Sequence, residues 1–309
     1  MDNGNASRVT ELILLGLSTD PGVQILLFEV FLIVYLATLA GNIILIVAVK
    51  TDKRLHSSMY LFLANLSFID VCYTSVIVPK MLLDFLATNK IISFTGCAVQ
   101  IFAYLFLGES ECILLAFMAY DRYIAICNPL RYNTIMSIRS CAGMISAAWM
   151  TGCVVSSVDL FFVCLLTYCG PNVIDHFFCE ATSLILLACS DTSINRSVTF
   201  AGGCILLLIP VALILFSYVQ IIASIVKIRS GRSKSFSTCF SHLFVIVIFY
   251  GTAIFTYMRP RHSGTDTTDK MVSVFYTIIT PMLNPLVYSL RNKDVQRALR
   301  RIGTCFALT

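Results

Sequence analysis

Charge is what this sequence has least of. Of its 309 residues 13% are Asp, Glu, Lys or Arg, while 58% are hydrophobic; ordinary soluble domains carry roughly 25% charged residues. The shortage excludes a soluble globular protein and indicates a chain dissolved in lipid. At about 20 apolar residues per crossing, the length holds at most roughly ten spans and no large soluble domain beside them. Lys and Arg (22) exceed Asp and Glu (17) by too little to suggest nucleic-acid binding without a basic cluster on one face. Histidine is scarce as well, four in all. His176, His242 and His262 fall at loop or boundary positions, and none lies among the cysteines of the apolar runs, which leaves a Cys–His nucleophile pair without support. No internal repeat of the kind that marks many secondary transporters is visible. The first 24 residues lack a basic, apolar, small-residue signal sequence, so the first apolar run is expected to serve as its own insertion signal.

What is present is seven apolar runs, at about 25 to 49, 59 to 85, 97 to 126, 141 to 165, 197 to 226, 238 to 258 and 272 to 290. Charged or turn-forming stretches separate them, among them Lys50 to Arg54, Asn128-Pro129, Lys227 to Lys234 and Arg259 to Gly264. A helix satisfies its own backbone in lipid and an open strand does not, so an all-α seven-helix bundle is expected. Fifteen Lys and Arg fall on one side of that arrangement and seven on the other. Basic segments stay in the cytoplasm, which puts the N-terminus outside and the C-terminus inside. The expected division is an extracellular tail over 1–24, the helix bundle over 25–290, and a cytoplasmic helix and tail over 291–309. In that last segment Val295, Ala298 and Ile302 share a side among Arg291, Lys293, Arg297, Arg300 and Arg301, as in a basic amphipathic helix lying on lipid.

The sequon Asn5-Ala6-Ser7 lies in the outside tail, where it can be glycosylated, in agreement with the charge count. Most of the 13 cysteines sit inside apolar runs and act there as small hydrophobes. Cys97, Cys169, Cys179 and Cys189 share the outer compartment, where oxidation is expected and three pairings are open. A zinc or copper site using His176 and Cys179 is a weaker alternative, because a disulfide removes the thiolate.

Ionisable groups in hydrocarbon cost about 2.5 to 3.5 kcal/mol each on insertion scales and mark function. Here they are Asp70, Glu109, Glu111, Asp121-Arg122 and Asp159. Asp70 and Glu111 fall at similar depth, inviting a cation, a shared proton or separate hydrogen bonds. Glu109 is turned 200° from Glu111 and so belongs to another site. With Tyr104, Leu105, Gly108 and Cys112 it defines a face of the third helix that either lines an outward-open cavity or packs against a neighbour. Pro285 after Asn284, and Pro210, each remove a backbone hydrogen bond and make local weak points.

Asp121-Arg122-Tyr123 at the inner end of the third helix and Asn284-Pro285-x-x-Tyr288 in the seventh resemble the rhodopsin-like G protein-coupled receptors. The longer stretches Met118 to Tyr132 and Pro281 to Asn292 resemble the odorant-receptor signature, with further matches at Gly41-Asn42, Pro79-Lys80-Met81, Phe236 to Leu243 and Phe249-Tyr250-Gly251. The Phe-Ser-Thr-Cys entry to the sixth helix is similar to the tetrapod-type branch. Ser58 stands where the family usually has Pro and is expected to loosen the first inside loop; Ser235 and Glu180 are the other departures.

The resemblance implies disulfides Cys97–Cys179 and Cys169–Cys189, and a sodium ion held by Asp70 and Glu111 in the inactive state as the one cofactor. It implies a switch in which Asp121 restrains Arg122 until an odorant binds. Helix 6 then moves outward and Arg122 reaches towards Tyr218, with Tyr123, Tyr250, Asn284, Pro285 and Tyr288 taking part. The odorant, small, volatile and mostly hydrophobic, would be walled by Tyr104, Leu105, Gly108, Glu109, Cys112, Gly202, Leu206, Ile254, Tyr257, Val274 and Thr277. Glu109 suggests a ligand bearing a hydroxyl or an amine. Further implied are a stimulatory olfactory G protein raising cyclic AMP, a receptor-transport chaperone, lipid contact, and a plasma-membrane location in olfactory cilia. A non-olfactory receptor of the same superfamily is the alternative, with a transporter, channel or intramembrane enzyme behind it.

Overall fold

The computed structural model describes residues 9–169, 172–227, 232–258, 267–291 and 293–306. Asn5, residues 228–231, the Arg259 to Gly264 segment and the side chains of Tyr288, Arg291, Lys293 and Ile302 lie outside the described residues.

Among the described residues, seven long helical rods form the bundle. They are α1 (Pro21–Thr51), α2 (Ser58–Leu86), α3 (Phe94–Cys127), α4 (Ile138–Cys164), α5 (Ser193–Gly203, Cys204–Leu208 and Ile209–Lys227), α6 (Arg232–Met258) and α7 (Thr267–Val274, Phe275–Ile279 and Thr280–Arg291). An eighth helix, α8 (Lys293–Phe306), follows. Six rods are long and apolar enough to cross a membrane, and His242–Met258 adds a shorter apolar stretch. Polar residues cap α1 and α3 ahead of their apolar runs. Asp20 accepts a hydrogen bond from the Val23 amide (2.9 Å) just before Pro21, and Ser93 accepts one from Gly96 (3.0 Å). Ile25, Leu26 and Ile33 of α1 are all more than half exposed, an apolar face that lipid covers. The chain is a multi-pass membrane protein.

The tail is not all tail. Glu11–Leu14 forms β1, the middle strand of a three-stranded sheet, antiparallel to β2 (Ile91–Ser93) and parallel to β3 (Val173–Ile174). Leu12 and Leu14 alternate inward and are fully buried, as period two requires. Gly16 ends the strand at φ +76°, a left-handed conformation that glycine adopts without strain. Lys270 of α7 clamps this cap, donating to the Gly16 carbonyl (3.3 Å) and to Asp175 (2.5 Å). Two disulfides pin it further, Cys97–Cys179 and Cys169–Cys189, with Cα separations of 5.3 and 6.0 Å. Cys179 is therefore no thiolate ligand for a metal.

The prolines act through their neighbours. Pro285 has no N–H, so the Pro281 carbonyl one turn earlier has no donor within α7. Asn42 of α1 supplies one, Nδ2 to Pro281 O at 3.1 Å, while Gly41 lets α1 approach so closely that a Cβ there would stand 3.1 Å from Pro285 Cγ. In α5 and α7 a π-helical segment comes immediately before Ile209-Pro210 and Thr280-Pro281, the wide turn that often marks functional positions in helices.

At the end of the bundle opposite the cap, Ser58 does not loosen its loop. Its hydroxyl is buried and donates to the Met136 carbonyl (2.6 Å), tying α2 to the connection before α4. Val295 and Ala298 of α8 are buried, and Arg301 pairs with Asp52 beyond the end of α1 (3.0 Å).

Candidate functional site

Beneath the cap, α3, α4, α5, α6 and α7 enclose a cavity of about 80 Å³ with α2 at its edge. Of the residues expected to wall it, Tyr104, Leu105, Gly108, Glu109, Cys112, Leu206 and Tyr257 do so. Gly202, Ile254, Val274 and Thr277 lie outside the lining; their helices present Gly203, Ala253 and Tyr276 instead. One residue of offset turns a side chain by about 100° on a helix, enough to move it off the cavity wall. Thr277 is fully buried and donates to the Ser273 carbonyl (2.6 Å). Residues not expected at the wall include Tyr73, Asp159, Thr199, Leu207 and Phe249. Asp159 carried a signal, being an ionisable residue inside an apolar run; the others carried none.

The roof is polar and locked. Tyr104 accepts a hydrogen bond from the Ala181 amide (3.0 Å) and meets Phe178 edge-on at 5.2 Å. Gln100 of α3 donates to Val76 O of α2 (2.9 Å) and accepts from the Cys179 amide (2.8 Å), joining helix to cap. His176 lies in the connection between α4 and α5, as expected, and is buried there against Phe177 and Phe178.

Deeper in the bundle, Asn284 donates to both oxygens of Asp70, each at 3.0 Å. Asp70 and Glu111 are both fully buried and within electrostatic reach. Glu111 Oε1 and Asn284 Oδ1 are buried without a hydrogen-bond partner among the described residues. No group of three or more His, Cys, Asp or Glu suited to a metal occurs among the described residues. An amide and two carboxylates nevertheless form a hard oxygen set with acceptors to spare, which fits a small alkali cation.

Polar contacts continue to the far end. Tyr250 of α6 donates to the carbonyl of Cys112, a cavity residue (2.6 Å). Tyr218 of α5 is hydrogen-bonded to His242 Nδ1 (2.8 Å), so His242, read as a boundary residue, is buried between α5 and α6. Arg122 Nη2 lies 2.6 Å from Asp121 Oδ2, and the Tyr132 hydroxyl donates to the other carboxylate oxygen at 2.8 Å. Burial, then the Asp121 carboxylate, pushes the Tyr132 phenol up to about 12, which keeps it a donor. Tyr123 flanks the pair, its ring 6.3 Å from Phe216 of α5.

A helix bundle with a covered cavity at one end and a restrained Arg at the other is the plan of a signalling receptor, and comparison with known proteins agrees. The family model described as "Olfactory receptor" matches residues 31–304. The chain is similar to human Olfactory receptor 2D2, 51% identical over 97% of each chain, and to Olfactory receptor 5AR1 of Mus musculus, 47% identical over 98% of each. In fold it is similar to squid rhodopsin, with a TM-score of 0.75 over 94% of this chain and 88% of the other at 19% identity. Matching the family model over most of its length and these receptors over nearly all of it, the chain belongs to the olfactory receptor family of G protein-coupled receptors.

Proposed function

We propose that the chain binds a small, volatile, mostly hydrophobic odorant in the cavity among α3 to α7 and, once occupied, activates a stimulatory olfactory G protein to raise cyclic AMP. The observation that carries this reading is the hydrogen bond that Tyr250 of α6 makes to the carbonyl of Cys112 in the cavity wall. Cys112 and Phe249 line the cavity, and Tyr250 follows Phe249 on α6. A ligand wedged there changes the α3–α6 spacing on which that hydrogen bond depends. Burial of apolar ligand surface supplies the affinity, at roughly 25 cal/mol per Å². Only the ligand's preference for the active arrangement drives the switch.

In the resting arrangement Asp121, itself held by Tyr132, restrains Arg122, and His242 occupies Tyr218. Outward movement of α6 separates His242 from Tyr218, which then becomes available to Arg122. Asn284 and Pro285 give α7 the freedom to follow, and Tyr123 and Tyr288 complete the coupling end. A sodium ion, when bound, would supply one positive charge against the two buried carboxylates, leaving the second to share a proton; Asp70, Glu111 and Asn284 are the residues that would hold it.

The cap faces outward and α8 lies on the inner leaflet, with Asn5 glycosylated and the protein delivered to the plasma membrane of sensory cilia by a receptor-transport chaperone. The test is cyclic AMP in cells expressing the chain with such a chaperone and the olfactory stimulatory G protein, challenged with an odorant panel. A response that Arg122→Ala abolishes at equal surface expression supports the reading; a response that survives it refutes the switch.

A further inference from the structure

The chemistry of the cavity wall narrows the ligand class, on the reading that this cavity is the ligand site. Glu109 of α3 and Asp159 of α4 both line it, within electrostatic reach of one another, and its described lining residues include no Lys, Arg or His. Thr199 is a hydrogen-bond partner of Asp159 and the Ser156 backbone is one of Glu109, but the second oxygen of Glu109, Oε2, is buried with no partner among the described residues. An independent group converges on the same space from α2. Tyr73 is 4% exposed, its ring lies against Gly108, and no described residue hydrogen-bonds its hydroxyl.

Two carboxylates sharing one low-dielectric space repel, and a ligand is favoured to the extent that it relieves the repulsion. A carboxylic acid adds to it. An alcohol offers one donor and leaves the second carboxylate unmatched. An ammonium brings a positive charge and three donors, one each for Glu109, Asp159 and Tyr73. Phe249, Tyr257 and Tyr276 add aromatic residues to the wall, and a cation is attracted to any ring that presents its face. The cavity volume, about 80 Å³, is small beside the roughly 300 Å³ at which pockets for drug-sized molecules begin. We propose that the cavity selects a short-chain primary amine in its ammonium form, held between Glu109 and Asp159.

The test uses the full chain purified in lipid nanodiscs, with propylamine, propanol and propanoic acid as probes and thermal unfolding as the readout, because a ligand bound to the folded state raises Tm. Propylamine is expected to raise Tm at a concentration at least tenfold below propanol, and propanoic acid not at all. The near-isosteric substitutions Glu109→Gln and Asp159→Asn are made separately, so that misfolding of one leaves the other to decide. Each is expected to weaken propylamine at least tenfold and leave propanol unchanged. Propanol binding as tightly as propylamine, a propylamine response indifferent to both substitutions, or no response to propylamine overturns the proposal. Failure of the underlying reading looks different. If the cavity is not the ligand site, an odorant that raises cyclic AMP still does so in Gly108→Leu, whose added side chain fills it. If only the amine class is wrong, Gly108→Leu abolishes that response while Glu109→Gln and Asp159→Asn leave it intact.

Discussion

Replacing Gly152 with Ala tests how α3 and α4 are held together. A Cβ at residue 152 would stand 2.4 Å from Ser110 Oγ, 2.8 Å from the Phe106 carbonyl oxygen and 3.1 Å from the Ser110 amide nitrogen. The hydroxyl can rotate away. The other two atoms are backbone in the middle of α3 and cannot, so α4 itself must retreat by more than half an ångström to restore ordinary contact. Overpacking of this kind costs about 1–3 kcal/mol, offset by the ~0.5–1 kcal/mol that a helix gains on Gly to Ala, leaving a net loss of up to about 2.5 kcal/mol and a deficit of about 1–3 kcal/mol against a Gly to Ala change that meets no clash. Gly143 on the same helix has nothing within 4 Å of its virtual Cβ, so Gly143→Ala is the matched control and is expected to be neutral or slightly stabilising. Retreat of α4 also disturbs the tilted ring contacts of Trp149 with Phe106 (5.3 Å) and Phe68 (6.0 Å), and widens the gap between Glu109 and Asp159 one and two turns away. The assay is thermal unfolding read by a thiol-reactive dye, with buried Cys112 and Cys141 as reporters. Equal stability of the two variants would refute the close-packing argument.

Asn42→Ala removes the donor to the Pro281 carbonyl and is expected to cost about 1–3 kcal/mol for the buried acceptor left bare. Pro285→Ala restores an N–H to α7, so the Asn42→Ala cost should shrink in that background in a double-mutant cycle of unfolding free energies. Cys97→Ser opens a cross-link spanning 82 residues; a loss of about 2–5 kcal/mol is expected, seen as a lower Tm that reductant changes less than in the wild type, Cys169–Cys189 being the bond still intact. Tyr132→Phe takes a donor from Asp121 and should raise basal cyclic AMP at equal surface expression. Because the folded-state phenol titrates near about 12, above its unfolded value of about 10, its contribution to stability is complete below about pH 10 and is lost as pH rises through about 12. The stability gap between wild type and Tyr132→Phe should therefore be flat from about pH 6 to about pH 9; a gap that changes within that range would count against the assignment.

Much of the molecule is legible along the chain. The seven apolar runs, their separators and the ionisable residues within them follow from composition and local pattern, because a membrane demands long apolar helices and penalises each buried charge. The Asp121-Arg122 pair is legible for the same reason, its partners being adjacent in sequence. What only the tertiary structure decided is which faces meet. Glu11–Leu14 becomes the middle strand of the cap because strands 80 and 160 residues away supply its partners. Asn42 and Pro281 find each other across 239 positions. The cavity wall takes Gly203 and Tyr276 rather than Gly202 and Thr277 because the rotation of α5 and α7, each containing a π-helical segment, is settled by packing. Asp159 is only a buried acid in sequence; that it faces Glu109 depends on the axial rotation of α4 against α3, set by the close approach at Gly152. Composition and period determine what each helix is, and the interlocking of their surfaces determines what they enclose.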